Sequence, residues 1–370
     1  QLQHITYEGQ LSLKTQKVKD VIERIGHQNP DLVKPTLGPK EPWAYRNKMQ
    51  MPVGGTKGDI LMGFYAMGSH DIVQGTNCPI QDEGNNIIAQ ACYQIAKELD
   101  VEPYDEHTGK GVLRHIIGRI GQSGWMIILV TATEQLPHKE KWVEKLTERV
   151  PQVETIVHNV NGKRTNVILG PKNNILYGDG TITDHIKDLR FTLSPYSFFQ
   201  VNPEQTTVLY DQALTYADLK GDETVIDAYC GTGTISLFLA HKAKHVIGIE
   251  IVEPAIINAR ENAKRNGYDN TEFIVADAAV EMPKLYKSGV RPDVIVFDPI
   301  RAGCKEEVLT SAAGMEPKRI VYVSCNPATM ARDIEILTHY GYELQKVQPV
   351  DMFPMTAHVE TVCLLSRKDK

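Results

Sequence analysis

The spacing of apolar residues changes near residue 190 and divides the chain into two regions. Beyond that point, short runs of Val, Ile and Leu alternate with segments in which apolar residues recur at helical spacing. This alternation is typical of an α/β fold, here a doubly wound parallel sheet covered by helices. The predicted strands are 224–228, 246–250, 273–276, 294–297 and 320–323, the predicted helices are 203–219, 234–241, 254–266 and 328–340, and two last strands, 344–352 and 359–366, are expected to run against the others.

The first half has shorter, strand-like periods broken by Gly-Gly, Ser-Gly, Asn-Gly and Asp-Gly pairs, which predict antiparallel strands. We therefore predict three parts. Residues 1–30 form an N-terminal helix that packs on the last domain, residues 31–188 a central α+β substrate-recognition domain, and residues 189–370 the α/β domain. Within the central part the predicted strands are 43–52, 60–65, 113–121, 125–133 and 155–160, followed by 189–193, and the predicted helices are 85–99 and 138–150.

Composition is that of a globular protein, with 42% hydrophobic and 23% charged residues. No apolar run approaches the roughly 20 residues that a membrane-spanning helix needs, so we expect no membrane partner. The six cysteines include no CxxC pair, which favours a reducing cytoplasm over a disulfide framework or a zinc site. We expect a monomer, and because the first residue is not Met, we expect the natural N-terminus to lie further upstream.

The net charge of −6 argues against a protein that coats nucleic acid generally. Residues 1–190 nevertheless carry as many basic as acidic residues and contain local basic groups. Nucleic-acid binding requires a local positive face, although ordinary solvated surface is the alternative interpretation of each group. The groups are Lys14, Lys17, Lys19 and Arg24; Arg46, Lys48 and Lys57; Lys110, Arg114 and Arg119; and Lys163 and Arg164.

A glycine-rich turn, DAYCGTG at 227–233, follows the first strand of the α/β region and opens a helix. Glycines here let the backbone approach a ligand, while Ser236 replaces the third glycine of dinucleotide motifs. Glu250 ends the next strand, where its carboxylate can accept both ribose hydroxyls, and Asp277 ends the third, where it can face an adenine. Acidic residues suit a ligand with ribose hydroxyls and a positive centre, such as S-adenosylmethionine, better than a triphosphate. Solvated loop acids are the alternative for both.

Reactive side chains follow the fourth and fifth strands, Asp298 in DPIR and Cys325 in SCNP. The carboxyl ends of parallel strands share an edge, and an antiparallel last strand would bring Glu360 to the same edge. A thiol beside a base suits methylation of a pyrimidine at C5. The thiolate adds at C6, C5 takes the methyl group, and the base removes the C5 proton. A single Cys is more often a core residue, but the joint placement favours a nucleophile.

Five motifs together resemble the RNA 5-methyluridine methyltransferases (the TrmA/RumA/RlmCD group). The resemblance extends over essentially the whole chain and is closest to the type that methylates two uridines of 23S rRNA. Ile300 departs from the second proline that is usual in the family, but Asp298 and Arg301 are in place. The motifs are FFQVN at 198–202, DAYCGTG at 227–233, DPIRAG at 298–303, VSCNP at 323–327, and DMFP at 351–354 with HVET at 358–361.

The resemblance implies a Rossmann-like methyltransferase that uses S-adenosylmethionine to methylate uridine C5 in RNA, most closely 23S rRNA. It implies Cys325 as the nucleophile and Glu360 as the base that removes the proton. Phe198 and Phe199 are expected to stack on a displaced or neighbouring base, with core packing as the alternative for both. The expected cofactor-binding residues are Gln200, Tyr229, Gly231, Thr234, Glu250, Asp277 and Asp298, and the expected substrate-binding residues are Phe198, Gln200, Asp298 and Arg301.

The resemblance also implies an RNA-binding β-barrel and a cluster of cysteines before Gln1. In relatives such cysteines, with one equivalent to Cys78, hold an iron–sulfur cluster, so we expect a metal site only in a longer chain. Three alternatives remain at this point. The first is a tRNA uridine C5-methyltransferase. The second is an exocyclic amino methyltransferase, which is disfavoured because the DPIR motif lacks the aromatic residue that stacks on the base in such enzymes. The third is a non-catalytic RNA-binding or assembly module with a vestigial fold, which would be expected to lack the Cys325 or Glu360 side chain.

Overall fold

The computed structural model describes residues 1–368, which form two compact units. One unit contains Gln1–Pro42 and the chain from Asn202 onward, and the other contains Trp43–Val201. The chain starts with helix α1 (Tyr7–Arg24), which begins later than predicted because Thr6 is its N-cap and accepts the Gly9 N–H. A 3-10 turn, Pro30–Leu32, follows in the proline-rich segment.

The central unit is built on a seven-stranded sheet with the order β3-β2-β1-β4-β5-β6-β7. Helix α2 packs on β4 and on α3, and together they enclose the core of this unit. A separate two-stranded sheet, β8-β9, ends the unit. In chain order the elements are β1 (Lys48–Thr56), β2 (Asp59–Tyr65), β3 (Ile72–Gln74), α2 (Glu83–Glu98), β4 (Leu113–Ile120), β5 (Trp125–Thr131), α3 (Lys139–Arg149), β6 (Val153–Val160), β7 (Lys172–Tyr177), β8 (Ile182–Ile186) and β9 (Leu189–Leu193).

Three expectations for this unit need correction. Strands β3, β7 and β8 were not predicted, since β3 has only three residues and β7 is a polar, largely exposed strand. The sheet is not wholly antiparallel, because α3 forms a crossover that makes β5 and β6 parallel. The predicted boundary between residues 188 and 189 is displaced to residues 201 and 202, because β9 pairs with β8 and so stays in the central unit.

The other unit has the predicted doubly wound sheet, with the order β12-β11-β10-β13-β14-β16-β15. Its central strands β10, β13 and β14 are nearly continuous apolar runs, as expected where both faces of a sheet are buried. The elements are α4 (Pro203–Ala217), β10 (Thr224–Asp227), α5 (Thr234–Ala240), β11 (His245–Glu250), α6 (Glu253–Arg265), β12 (Thr271–Val275), α7 (Ala278–Lys287), β13 (Val294–Phe297), α8 (Glu306–Gly314), β14 (Arg319–Ser324), α9 (Pro327–His339), β15 (Tyr342–Val350) and β16 (Glu360–Arg367).

Only one of the two last strands runs against the sheet, which corrects the prediction that both do. Strand β16 is antiparallel to β14 and to β15, so β15 has the same direction as the parallel strands. Helix α1 packs against α9 and β15, and it lies in the same compact unit as the sheet. Within residues 1–368, no helix combines the length and apolar character that crossing a membrane requires.

Candidate active site

The pairing of β14 with β16 determines where Cys325 and Glu360 lie. Ser324, the last residue of β14, is the register partner of Thr361. Because the two strands are antiparallel, Cys325, which follows Ser324, and Glu360, which precedes Thr361, lie at the same edge of the sheet. Asn326 caps α9 by accepting the Ala328 N–H, which turns the chain immediately after the thiol. Cys325 is half-buried and Glu360 is buried. The sheet therefore presents a thiol beside a carboxyl group.

Asp298 and Arg301 join this pair from the loop that follows β13. Burial first, and then the Asp298 carboxyl group, raise the pKa of Glu360 to about 8, although Arg301 opposes the shift. Burial first, and then Asp227, raise the pKa of Asp298 to about 7. Two neighbouring carboxyl groups in a desolvated place cannot both ionise readily at neutral pH, so they form a coupled pair that retains a proton.

The thiol of Cys325 has neighbours of both charges. Burial, Glu360 and Asp298 raise its pKa, whereas the charge and the hydrogen bond of Arg301 lower it. Arg301 is thus the group that stabilises a thiolate, and a carboxylate nearby is the group that can take the proton. The arrangement can deliver a sulfur nucleophile and move one proton beside it.

The buried Asp333 and the exposed Arg332 of α9 hold the loop that carries Asp298 and Arg301. Asp333 accepts the Cys304 N–H at 2.8 Å and the Tyr322 hydroxyl at 2.5 Å, and Arg332 donates to the Ala302 carbonyl at 3.0 Å. Gly303 has φ +79°, and a Cβ there would collide with the side chains of Arg332 and Asp333. The Arg301 carbonyl accepts from the Asn326 amide and the Thr329 hydroxyl. The loop is therefore fastened to the helix that begins after Cys325.

The cofactor residues predicted on β10 and β11 lie together at the same sheet edge. The Gly231 N–H donates to Glu250 Oε2 at 3.2 Å, and the Val252 N–H donates to Oε1 at 2.9 Å, which fixes the carboxylate. A Cβ added to Gly231 would meet nothing within 4 Å, so space lies open beside this turn. Asp227 is buried and its Oδ1 atom has no hydrogen-bond partner among residues 1–368. These features fit S-adenosylmethionine, which offers ribose hydroxyls to Glu250 and an ammonium group to Asp227.

Tyr229 and Thr234 flank the turn, and Asp277 has an additional role. Burial, and then Cys304, raise the pKa of the half-buried Tyr229, so its hydroxyl stays protonated. The Thr234 hydroxyl lies 3.1 Å from that of Tyr210. Asp277 caps α7 by accepting the Ala279 N–H at 2.9 Å, and its other oxygen pairs with Lys305 at 2.9 Å. The sequence had not predicted this capping role.

Three of the predicted residues lie in the central unit and not in the unit that carries Cys325 and Glu360. They are Phe198, Gln200 and Cys78. Phe198 is 72% exposed, whereas Phe199 is buried with its ring 5.5 Å from that of Phe191. The expectation that Phe199 stacks on a base is therefore wrong, because its ring packs in the core. Gln200 is half-buried. Within residues 1–368 no group of three or more His, Cys, Asp or Glu side chains is arranged to hold a metal ion. The single thiol of Cys78 cannot by itself supply the four cysteine ligands of an iron–sulfur cluster.

Two residues of the site were absent from the predicted set. The sequence does contain a signal for Asp227, because it is the acidic residue that ends the first buried strand of the α/β region. Tyr210 had none, because it lies inside α4 like any buried aromatic residue. Burial first, and then Asp298, raise the pKa of Tyr210, and Glu360 contributes in the same direction. Its hydroxyl group is therefore a protonated neighbour of the carboxyl pair.

Comparisons with known proteins bear on the family and on the fold. The sequence model of the family described as tRNA (Uracil-5-)-methyltransferase matches residues 138–368. An uncharacterized RNA methyltransferase of Halalkalibacterium halodurans is 52% identical over 371 residues, which are 100% of this chain and 81% of the relative. Another, from Clostridium acetobutylicum, is 50% identical over 376 residues with the same coverage of both chains, 100% and 81%.

A solved structure extends the agreement to three dimensions. It is the crystal structure of the Pyrococcus abyssi tRNA (uracil-54, C5)-methyltransferase in complex with S-adenosyl-L-homocysteine. The match has a TM-score of 0.81 and 27% sequence identity, and it covers 98% of this chain and 84% of that chain. The Rossmann-like methyltransferase fold is thereby confirmed. The chain belongs to the tRNA (uracil-5-)-methyltransferase family of RNA methyltransferases.

Proposed function

We propose that the protein methylates C5 of uridine in 23S rRNA, with S-adenosylmethionine as methyl donor, Cys325 as nucleophile and Glu360 as base. The observation that carries this proposal is the antiparallel pairing of β14 with β16, which places the thiol and the carboxyl group at one edge of the sheet. Uracil C5 is a weak nucleophile, so its methylation needs both groups. Neither group by itself would suffice.

In the first step the Cys325 thiol passes its proton to the neighbouring Asp298 carboxylate, and the sulfur forms a bond to uracil C6. The electrons of the C5–C6 double bond move toward C5 and the O4 carbonyl, which gives an enolate. Arg301 stabilises the thiolate before attack, because it already hydrogen-bonds to the sulfur. Burial raises the pKa of Asp298 to about 7, and in its protonated form the carboxyl group can donate a hydrogen bond to the uracil ring.

S-adenosylmethionine, when bound, supplies the methyl group that C5 accepts. Glu250, with both oxygens already held by backbone N–H groups, would orient the ribose, while Asp227, Tyr229, Gly231 and Thr234 line the remainder of the site. Asp277 and Gln200 complete the proposed set. The chain's own residues would position the donor at the sheet edge that carries Cys325.

In the last step Glu360 removes the C5 proton. The electrons of that C–H bond re-form the C5–C6 double bond, and the bond from C6 to Cys325 breaks, which returns the thiolate. A carboxylate whose pKa is raised toward 8 is a stronger base than an ordinary glutamate, which suits removal of a carbon-bound proton.

Two observations bear on the class of RNA. The sequence motifs resemble most closely the type that acts on 23S rRNA, whereas the family description and the Pyrococcus abyssi structure name tRNA. We place 23S rRNA first and tRNA second. We further propose that the enzyme acts as a monomer in the cytoplasm, where free thiols such as all six in this chain are usual.

Mapping 5-methyluridine tests the proposal. Total rRNA and tRNA from a strain without the gene are incubated with the purified full-length protein and S-adenosylmethionine, and the product positions are read by mass spectrometry. We expect new 5-methyluridine in 23S rRNA. Product in tRNA alone would support the second candidate, and product at no uridine C5 would overturn the proposal.

A further inference from the structure

A cavity of about 420 Å³ opens in the central unit, and every residue that lines it lies within Trp43–Val201. Its walls come from β2 and the turn after it, which carries His70, from β4, from residues 102–111, which precede β4, and from residues 161–170, which follow β6. This volume is in the range of sites that hold one small-molecule-sized group, about 300–1,000 Å³. Two of the basic groups that stood out in the sequence meet here, since Arg114 and Arg164 both line the cavity.

A bulge in β4 directs two consecutive side chains to the cavity. Neighbouring residues of a regular strand point to opposite faces, yet Arg114 and His115 both line this space. The register of β4 against β5 shifts between Leu113 and His115, so Arg114 is the extra residue of the bulge. Bulges commonly re-aim side chains in this way beside functional sites.

Arg114 also orders the cavity wall. Its guanidinium lies 4.5 Å from the centre of the Tyr104 ring, and its Nη1 atom donates to the carbonyls of Asn161 and Lys163 at 2.5 and 2.8 Å. The loop that starts at Asn161 is thereby fixed beside a cation and an aromatic ring. Because these bonds already fix the guanidinium group, it loses little conformational entropy when a ligand binds.

Aromatic rings at the cavity are held in place while remaining accessible. The Tyr65 hydroxyl donates to Glu106 at 2.9 Å, and His70 Nδ1 lies 2.7 Å from the other Glu106 oxygen. The Tyr65 and His70 rings are 5.1 Å apart, and Tyr65 is 36% exposed. Fixed, accessible rings of this kind are the platforms on which unpaired bases stack.

Polar groups for the edge of a base and for a phosphate complete the cavity. Burial first, and then Arg114, lower the pKa of His115 to about 4, so its ring is neutral at pH 7 and has one donor and one acceptor. Its Nδ1 atom has no partner among residues 1–368. Arg164 is exposed and donates to the Thr108 carbonyl, next to Gly109, where a Cβ would collide with it. Guanidinium groups bind phosphate in this setting.

We infer that this cavity binds one unpaired nucleotide of the RNA substrate, with its base on the Tyr65 and His70 rings and its phosphate near Arg164. The nucleotide is one other than the uridine that is methylated, and the inference rests on the proposed function only in taking RNA as the substrate. The cavity would thus contribute to the choice of RNA. Bases stacked on fixed rings are recognised in unpaired segments, which a duplex does not offer.

The test measures RNA affinity directly. Full-length wild type, Tyr65→Ala and Arg164→Ala are titrated with unmodified 23S rRNA over a range of salt concentrations, with Arg149→Ala as a charge-matched control from α3, where Arg149 pairs with Glu98. We expect each cavity variant to bind RNA about tenfold more weakly. Arg164→Ala should also lower the slope of log affinity against log salt by about one, whereas Tyr65→Ala should leave the slope unchanged.

The outcomes separate this inference from the proposed function. Unchanged RNA affinity in both cavity variants, or an equal loss in Arg149→Ala, would overturn the inference. S-adenosylmethionine binding by calorimetry should be the same in all four proteins, and a loss there would mean that the substitutions act through folding, which also counts against the cavity. If wild type makes no 5-methyluridine while the cavity variants still lose RNA affinity, the proposed function fails and the cavity stands.

Discussion

At the scale of single residues, the site depends on carboxyl groups whose burial changes their protonation. Burial and then Asp298 raise the pKa of Glu360, burial and then Asp227 raise the pKa of Asp298, and Arg301 opposes the shift at Glu360 and at the thiol. A base that is protonated at rest must release its proton before it can remove one from carbon. The same burial that makes Glu360 a strong base therefore makes activity and stability depend on pH in opposite directions.

Glu360→Gln tests this opposition. Burial raises the pKa of Glu360 from 4.5 to about 8, so the folded protein binds more protons than the unfolded chain between these values, and stability falls as pH rises through them. The glutamine side chain does not titrate, so the stability of the variant does not fall over this pH range for this reason. We expect its melting temperature to exceed that of wild type above pH 8, by about 2–4 °C for each kcal/mol recovered, and to match it near pH 4.5.

The kinetic effect of Glu360→Gln should be the reverse. With proton removal blocked, turnover should stop and a covalent protein–RNA intermediate should accumulate, visible as a band that survives denaturing electrophoresis. In wild type the rate of product formation should rise as pH increases through about 8. Normal turnover by the variant would remove Glu360 from the role of base.

At the scale of elements, the sequence predicts which residues end the strands, but it does not predict the helices α7 and α8 or the contacts that hold the loops. Cys325 and Asp298 follow apolar runs that are typical of central parallel strands, so the sequence predicts that both lie at the same edge of the sheet. The position of Glu360 at that edge follows from the prediction that its strand is antiparallel. Helix α7 was missed because it contains Pro283, and α8 because it has nine residues and no side-chain cap. The contacts of Asp333 with Cys304 and Tyr322 join separated segments, and no local pattern encodes them.

The clamp on the loop from Asp298 to Cys304 gives a prediction at this scale. Arg332→Ala leaves the Ala302 carbonyl without its guanidinium donor and removes the charged partner of Asp333, which keeps its bonds to Cys304 and Tyr322. We expect a loss of about 1 kcal/mol in the free energy of unfolding for each hydrogen bond removed. We also expect a fall in kcat that exceeds any rise in KM, because Asp298 and Arg301 lose their position. Steady-state kinetics with RNA measure both.

Arg367→Ala serves as the matched control, because it removes a guanidinium from β16 that pairs with Glu316. It should change kcat little. If Arg332→Ala alters stability but leaves kcat at the wild-type value, the clamp does not position the loop for catalysis.

At the scale of the whole molecule, the N-terminal helix is part of the unit that carries the catalytic residues. Lys14 of α1 is buried and its Nζ atom lies 2.5 Å from the buried Asp351, which follows β15. Tyr7 donates to the other Asp351 oxygen at 3.0 Å, and Lys14 also donates to the Phe353 carbonyl. The segment that leads to Glu360 is thus attached to residues near the start of the chain.

Lys14→Met should therefore destabilise the unit strongly. Removing one partner of a buried ion pair leaves a charge without compensation, which costs about 3–5 kcal/mol. Denaturant unfolding of the variant should show this loss, and Lys19→Met on the same helix should change stability by less than about 1 kcal/mol. Equal stabilities of the two variants would mean that the Lys14–Asp351 pair does not hold α1 in place.

The central claim is that Cys325 forms a covalent bond with uracil, and RNA containing 5-fluorouridine tests it most directly. Fluorine at C5 cannot be removed as a proton, so the adduct that follows methyl transfer cannot break down. Wild type and the control Cys92→Ala, which alters a buried thiol of α2, should form a stable protein–RNA adduct with S-adenosylmethionine present, and Cys325→Ala should form none. An adduct that persists in Cys325→Ala, or its absence in wild type, would contradict the account.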